Sequence, residues 1–214
     1  MWKHTASWNP KHLNEKHNQS RSANISHDSH DAILLNEFAD LWSDAEKLWD
    51  QHQESPGFHA YVSADYSAIF TALQQLRNSA VTVLEWGSGL GIATIMASRM
   101  GFEAYGIEAE QELLEHSDRL ANAYGSTATF AQGSFVPDEF RHQSETHHEQ
   151  KKTIIDLADA YGKLGLKLDH FDLVYSYPWP NEIDLYKRIM QIHGKQPSVL
   201  LTYHVRRGCE LTHF

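Results

Sequence analysis

The sequence predicts a doubly wound α/β fold with a mainly parallel sheet, and three observations carry that reading. Five short apolar runs, Val81–Glu85, Glu103–Ile107, Thr127–Ala131, Phe171–Tyr175 and Val199–Tyr203, alternate with longer segments of helical periodicity. The first run ends in Glu85-Trp-Gly87-Ser-Gly89-Leu-Gly91, where glycines at alternate positions lead directly into a helical pattern. The second run is followed at once by another acid, Glu108. Glycines at a strand-to-helix junction let the chain turn sharply and let a ligand approach without meeting a Cβ. The helix that follows aims its N-terminal amides at the same place.

Taken in order, residues Met1–His30 are polar, rich in Asn, Ser, His and Lys, and predict an arm that cannot repay the entropy of ordering. Residues 31–80 predict a cap of two N-terminal helices. In the first, Leu34, Phe38, Leu41, Ala45 and Leu48 share a face, and Ser55-Pro-Gly57 breaks the helix. In the second, Ser63 is the expected N-cap, with Tyr66, Ile69, Phe70, Leu73 and Leu76 turned inward. Residues 81–214 form the ligand-binding domain, with helices expected over Ile92–Met100, Glu110–Tyr124, about Thr153–Leu164, and Glu182–His193. Gly125 and Gly194 are placed to end helices, and Asn181 to cap one. Residues Pro137–Lys152 read as a charged, histidine-bearing loop, either solvated or folded over a substrate.

Composition narrows the function classes. With 214 residues the chain can bury one core. Lys and Arg number 18 against 28 Asp and Glu, a net charge of −10, which opposes nucleic acid and anionic membrane as partners. The single cysteine, Cys209, excludes an intrachain disulfide framework, and no apolar run has membrane-spanning length. A cytoplasmic enzyme is the expectation. Histidine groups at His27-Asp28-Ser-His30 and His147-His148 lack diagnostic ligand spacing, so no metal is expected.

Glu85-Trp-Gly-Ser-Gly-Leu-Gly91 resembles motif I of the class I S-adenosylmethionine-dependent methyltransferases, and Glu108 resembles their ribose-binding acid. The resemblance runs from about Val81 to Tyr203 and implies a Rossmann-like sheet of order 3-2-1-4-5. Only eleven residues follow Tyr203, too few for the helix and hairpin that usually complete the fold, so truncation after strand five is expected. A sheet edge left in that way invites pairing with a second copy. The resemblance implies S-adenosylmethionine as cofactor and S-adenosylhomocysteine as product. Its site would comprise Glu85, Gly87, Ser88, Gly89, Gly91, Glu108 and the adjoining Ala109, with Gln132 and Ser134 beside the adenine. Many relatives carry an acid where Ser134 stands.

After strand four, Ser176-Tyr177-Pro178-Trp179-Pro180 is similar to the loop that holds the target amino group in methyltransferases acting on nitrogen, with Tyr177 in place of a first proline. Ser176, Pro178 and Trp179 are therefore the candidates for positioning an acceptor, and His204 for removing a proton. Phe58, His59, Tyr61 and Tyr66 are candidates for closing the site. The function expected is methyl transfer to a small or medium-sized molecule or a peptide, nitrogen favoured. A nicotinamide-dependent oxidoreductase and a non-catalytic S-adenosylmethionine-binding module are the alternatives. Glu85 opposes the first, because its carboxylate would repel a pyrophosphate.

Overall fold

A computed structural model describes residues 21–143, 153 and 157–214. Residues 1–20 of the expected arm and 144–152 of the expected loop, with His147 and His148, lie outside that set. Helix α1 spans Arg21–His52 and so begins inside the segment read as an arm. Its stripe of Leu34, Phe38, Leu41 and Ala45 is buried as the periodicity requires. A 3₁₀ turn over Pro56–Phe58 follows, then helix α2, Tyr66–Leu76. Asp65 rather than Ser63 caps α2, accepting from the Ala68 amide at 3.1 Å. Arg99 on α3 (Ile92–Arg99) makes a two-pronged ion pair with Glu37 of α1 at 2.8 and 3.0 Å.

The sheet has six strands in the order β3-β2-β1-β4-β5-β6. They are β1 Thr82–Trp86, β2 Glu103–Glu108, β3 Thr129–Gln132, β4 Leu173–Ser176, β5 Val199–His204 and β6 Gly208–His213. The first five are parallel in the expected order 3-2-1-4-5, and β6 runs antiparallel to β5 from Val199↔His213 to His204↔Gly208. The expected truncation after strand five is thus corrected. The last residues fold back as one more strand, because Gly208, at φ +70°, closes a tight turn and Cys209, Leu211 and His213 then alternate.

Alternation along the strands feeds two cores. Val83, Ala104, Leu173, Tyr175 and Leu201 face α1, α2 and α3, while Leu84, Trp86, Ile107, Val174 and Leu200 face the other side. Helix α4, Gln111–Ala123, connects β2 to β3, and α7, Ile183–His193, connects β4 to β5. Helix α7 is preceded by Asn181 in the left-handed region at φ +70°, and Glu182 takes the cap position expected of Asn181.

The link from β3 to β4 departs most from expectation. Asp138–Gln143 forms the short helix α5, and of the helix expected over about Thr153–Leu164 the described residues are helical at α6, Tyr161–Leu164, residues 154–156 lying outside the described set. Residues before α6 instead pair with the end of β3, the Ser134 amide donating to Ala158 O at 3.0 Å and the Ala160 amide to Ser134 O at 2.9 Å. Among the described residues no helix is long and apolar enough to cross a membrane.

Candidate functional site

A cavity of about 880 Å³ opens beyond the carboxyl ends of β1, β2, β4 and β5, where a sheet that reverses its winding leaves a crevice. The glycine loop forms its floor. All three loop glycines have left-handed φ, +70°, +55° and +74° for Gly87, Gly89 and Gly91. A Cβ on Gly87 would point into open space. One on Gly89 would lie 2.7 Å from the Tyr61 ring, and one on Gly91 2.6 Å from Phe130. Gly91 therefore serves packing and the start of α3, and it does not line the cavity.

Two buried acids flank this loop. Glu85 Oε2 accepts from the amide and the hydroxyl of Thr94, at 2.9 and 2.5 Å. Burial pushes its carboxyl up to about 8, against the pull of those Thr94 hydrogen bonds. Thr94 lies in the first turn of α3, so the positive end of that helix already faces a carboxylate. Glu108 fixes the loop from the other side. Its Oε2 accepts from the Gly89 amide at 2.7 Å, and its Oε1 from the Ala109 and Glu110 amides at 2.7 and 2.9 Å. With two lone pairs per oxygen, Oε2 retains capacity for one more donor. Burial raises the Glu108 carboxyl, opposed by the three amides.

The remaining sequence candidates divide. Ser88, Ala109, Ser134, Pro178, Trp179 and His204 line the cavity. Ser88 Oγ is buried without a hydrogen-bond partner among the described residues, and Ser134 Oγ accepts from the Val136 amide at 3.1 Å. Gln132 stands outside the lining, its side chain donating to Ala109 O at 3.3 Å. Ser176 is also outside it, its hydroxyl held on Trp86 O at 3.2 Å. Of the aromatic residues expected to close the site, Tyr61 and Tyr66 line it with their hydroxyls 2.8 Å apart, whereas Phe58 packs in the core and His59 is exposed. His204 Nε2 lies 3.2 Å from Thr202 Oγ1 and 3.5 Å from Glu210. Burial, and next the nearby Arg207, lower its affinity for a proton.

Sequence reasoning missed Asn181, Asp184, Arg206 and Arg207, which also line the cavity. The two arginines arrive there on the β5–β6 turn, and Gly208 was the signal for it. Tyr175, beside Glu85 in the paired strands, was read only as a strand residue.

The sequence matches no protein-family model and no curated protein. Solved structures do match. A methyltransferase from Geobacter sulfurreducens superposes with a TM-score of 0.50 at 12% identity, over 78% of this chain and 75% of that one. An O-methyltransferase from Bacillus cereus in complex with SAH gives 0.47 at 14% identity, over 84% and 67%. A candidate O-methyltransferase from Klebsiella pneumoniae gives 0.44 at 18% identity, over 69% of this chain and 59% of its own. The chain thus spans between three fifths and three quarters of the length of these proteins. At such identities the likeness establishes architecture, and the architecture is the Rossmann-like α/β fold of methyltransferases.

Proposed function

We propose that this chain is an S-adenosylmethionine-dependent methyltransferase acting on a small or medium-sized molecule or a peptide. The carrying observation is the pair of buried acids at the glycine loop. A dinucleotide would bring its pyrophosphate to the first turn of α3, but Glu85 already occupies the Thr94 amide there, so the pyrophosphate would have to displace it. A sulfonium and ammonium ligand would instead favour the ionised form of Glu85, which burial otherwise penalises. The residues present fit such a cofactor: open space above Gly87, a spare acceptor on Glu108, and a cavity of about 880 Å³.

When bound, the cofactor supplies an electrophilic methyl group. Glu85 would hold its cationic end, the Gly87-Ser88-Gly89 backbone would border the methionine portion, and Glu108 would bind the ribose. Ala109 and Ser134 would flank the adenine, with Gly91 and Gln132 supporting the wall from behind. The protein's contribution is proximity and orientation, which can supply several kcal/mol of a barrier, roughly 7–11 at best. Pro178 and Trp179 would position the acceptor, while the Ser176 hydroxyl serves the strand end. His204 would take a proton from the acceptor, its lowered affinity keeping the imidazole neutral near pH 7.

Calorimetric titration of S-adenosylmethionine, S-adenosylhomocysteine and NAD into the wild type and Glu108→Ala tests this. Micromolar binding of both adenosyl ligands, lost at least tenfold in the variant and absent for NAD, is the expected outcome. No binding of either adenosyl ligand to the wild type would refute it. Binding without methyl transfer to any acceptor in a metabolite extract would leave a binding module.

A further inference from the structure

Away from the cavity, the end of α1 meets one face of α4 through His52, Glu112 and His116. One ligand atom from each lies within 4.8 Å of the other two. Glu112 and His116 are four residues apart and so share a helix face, while His52 comes from the last turn of α1. The His52 and His116 ring centroids are 4.8 Å apart, and His52 Nδ1 is 3.7 Å from Glu112 Oε1. His116 is only 7% exposed.

The surroundings are shaped to this group. The Ser55 hydroxyl donates a short hydrogen bond to Glu112 Oε2, which orients the carboxylate and leaves Oε1 toward the histidines. The Phe58 ring stacks on His52 at 5.4 Å and meets His116 edge-on at 5.7 Å, giving a dry apolar floor. A Cβ on Gly57 would lie 2.6 Å from Glu112 Oε2, so only glycine lets the turn close over the carboxylate. His52 and Glu112 side chains are each 36% exposed, which leaves an entry path from solvent.

We infer that His52, Glu112 and His116 bind a divalent transition-metal ion of the Zn²⁺ class, fastening the end of α1 to α4. Two imidazoles and one carboxylate are a donor set such ions take. Bonds of about 2.0–2.1 Å in tetrahedral array place ligand atoms about 3.3 Å apart, so the 3.7 Å pair would close by a few tenths of an ångström and the widest pair, within 4.8 Å, by up to about 1.5 Å through side-chain rotation. Three protein ligands leave a fourth position for water. Mg²⁺ and Ca²⁺, which prefer all-oxygen shells, should not compete. This site stands apart from the cofactor reading and does not depend on it.

The test is titration of Zn²⁺, and of Co²⁺ for its visible absorption, into the full chain after stripping with a chelator. One ion per chain should bind, with Co²⁺ bands of a low-coordinate site and a melting midpoint raised by several degrees. His52→Ala and Glu112→Gln, both at half-exposed positions that should not disturb folding, should each weaken binding more than tenfold, beyond the lower end of the cost of losing an outer partner. A control lacking the neighbouring-histidine pair, His147→Ala with His148→Ala, should bind as the wild type does. Equal affinity in wild type, His52→Ala and Glu112→Gln would assign the metal to other histidines and overturn the proposal, as would no binding to the wild type.

Discussion

Glu85 shows how one side chain joins binding to stability. Its carboxyl titrates at about 8 in the fold against 4.5 for the ordinary group, because burial penalises the charge more than Thr94 repays it. A raised pKa means that the folded state holds its proton more tightly than the unfolded chain does. The contribution is therefore fully present below about pH 4.5 and is lost as pH rises through about 8, at up to about 1.4 kcal/mol per pH unit in that window. Urea denaturation of the ligand-free chain should give lower stability at pH 8 than at pH 5.5. Glu85→Gln should flatten that slope and exceed the wild type in stability at pH 8, while binding a cationic ligand more weakly. An unchanged pH slope in the variant would show that Glu85 carries no such cost. Both acids of the site were legible in the sequence by type and position. The amides they accept from were not, since each bond depends on how the loop folds back over the strand end.

At the level of elements, Asp172 does for the strands what no periodicity announces. It accepts from the Val81 and Thr82 amides at 2.8 and 3.1 Å and pairs with Lys195 Nζ, while its own carbonyl receives the Val199 amide at 2.9 Å. One residue so aligns the starts of β1, β4 and β5. Burial raises its carboxyl, but the Lys195 hydrogen bond and the two amides outweigh that and hold it at about 2. A depressed pKa gives stability present above about pH 3.8 that is lost as pH falls through about 2. Asp172→Ala should cost roughly 1–3 kcal/mol at neutral pH, from leaving the part-buried Thr82 amide unpaired and losing the Lys195 and Val81 contacts. Its denaturation midpoint should also vary less with acid than that of the wild type. A loss below about 0.5 kcal/mol would mean that water replaces the carboxylate without penalty. The two elements misread, β6 and the helix before Tyr161, fail for related reasons. Six alternating residues after a glycine turn are a weak signal alone, and they become a strand only because β5 offers an open edge. The residues before α6 keep a helical pattern, yet Ser134 claims their backbone as a partner.

For the whole molecule, α1 and α2 are part of the core and not a detachable cover. Leu34, Phe38, Leu41, Ile69 and Leu73 are at most 1% exposed, in the same cluster as Val83 of β1 and Ile95 of α3. Of the described residues here, the segment between the two helices, around Tyr61, and Tyr66 at the start of α2 reach the cavity. A chain beginning at Val81 should therefore expose one face of its sheet, aggregate, and show no cooperative melt. Each large buried side chain contributes about 1.5–3 kcal/mol, so losing five removes roughly 7.5–15 kcal/mol, as much as the whole stability of an ordinary domain. A soluble fragment with a sharp transition would separate the helices from the core. Ligand protection in that fragment would further show that the cavity forms without Tyr61.

The resemblance implied the order of five strands; the sequence by itself determined the alternation of strand and helix and the two acids at a glycine loop. These are local properties, set by hydrophobic period, turn chemistry and residue type. Tertiary structure alone decided which candidates face the cavity, turning Ser176 and Gln132 away and bringing in Arg206, Arg207 and Asp184. It also gathered His52, Glu112 and His116 from two helices sixty residues apart. Strand alternation and chain reversal govern those placements, and neither leaves a mark on the residues that they bring together.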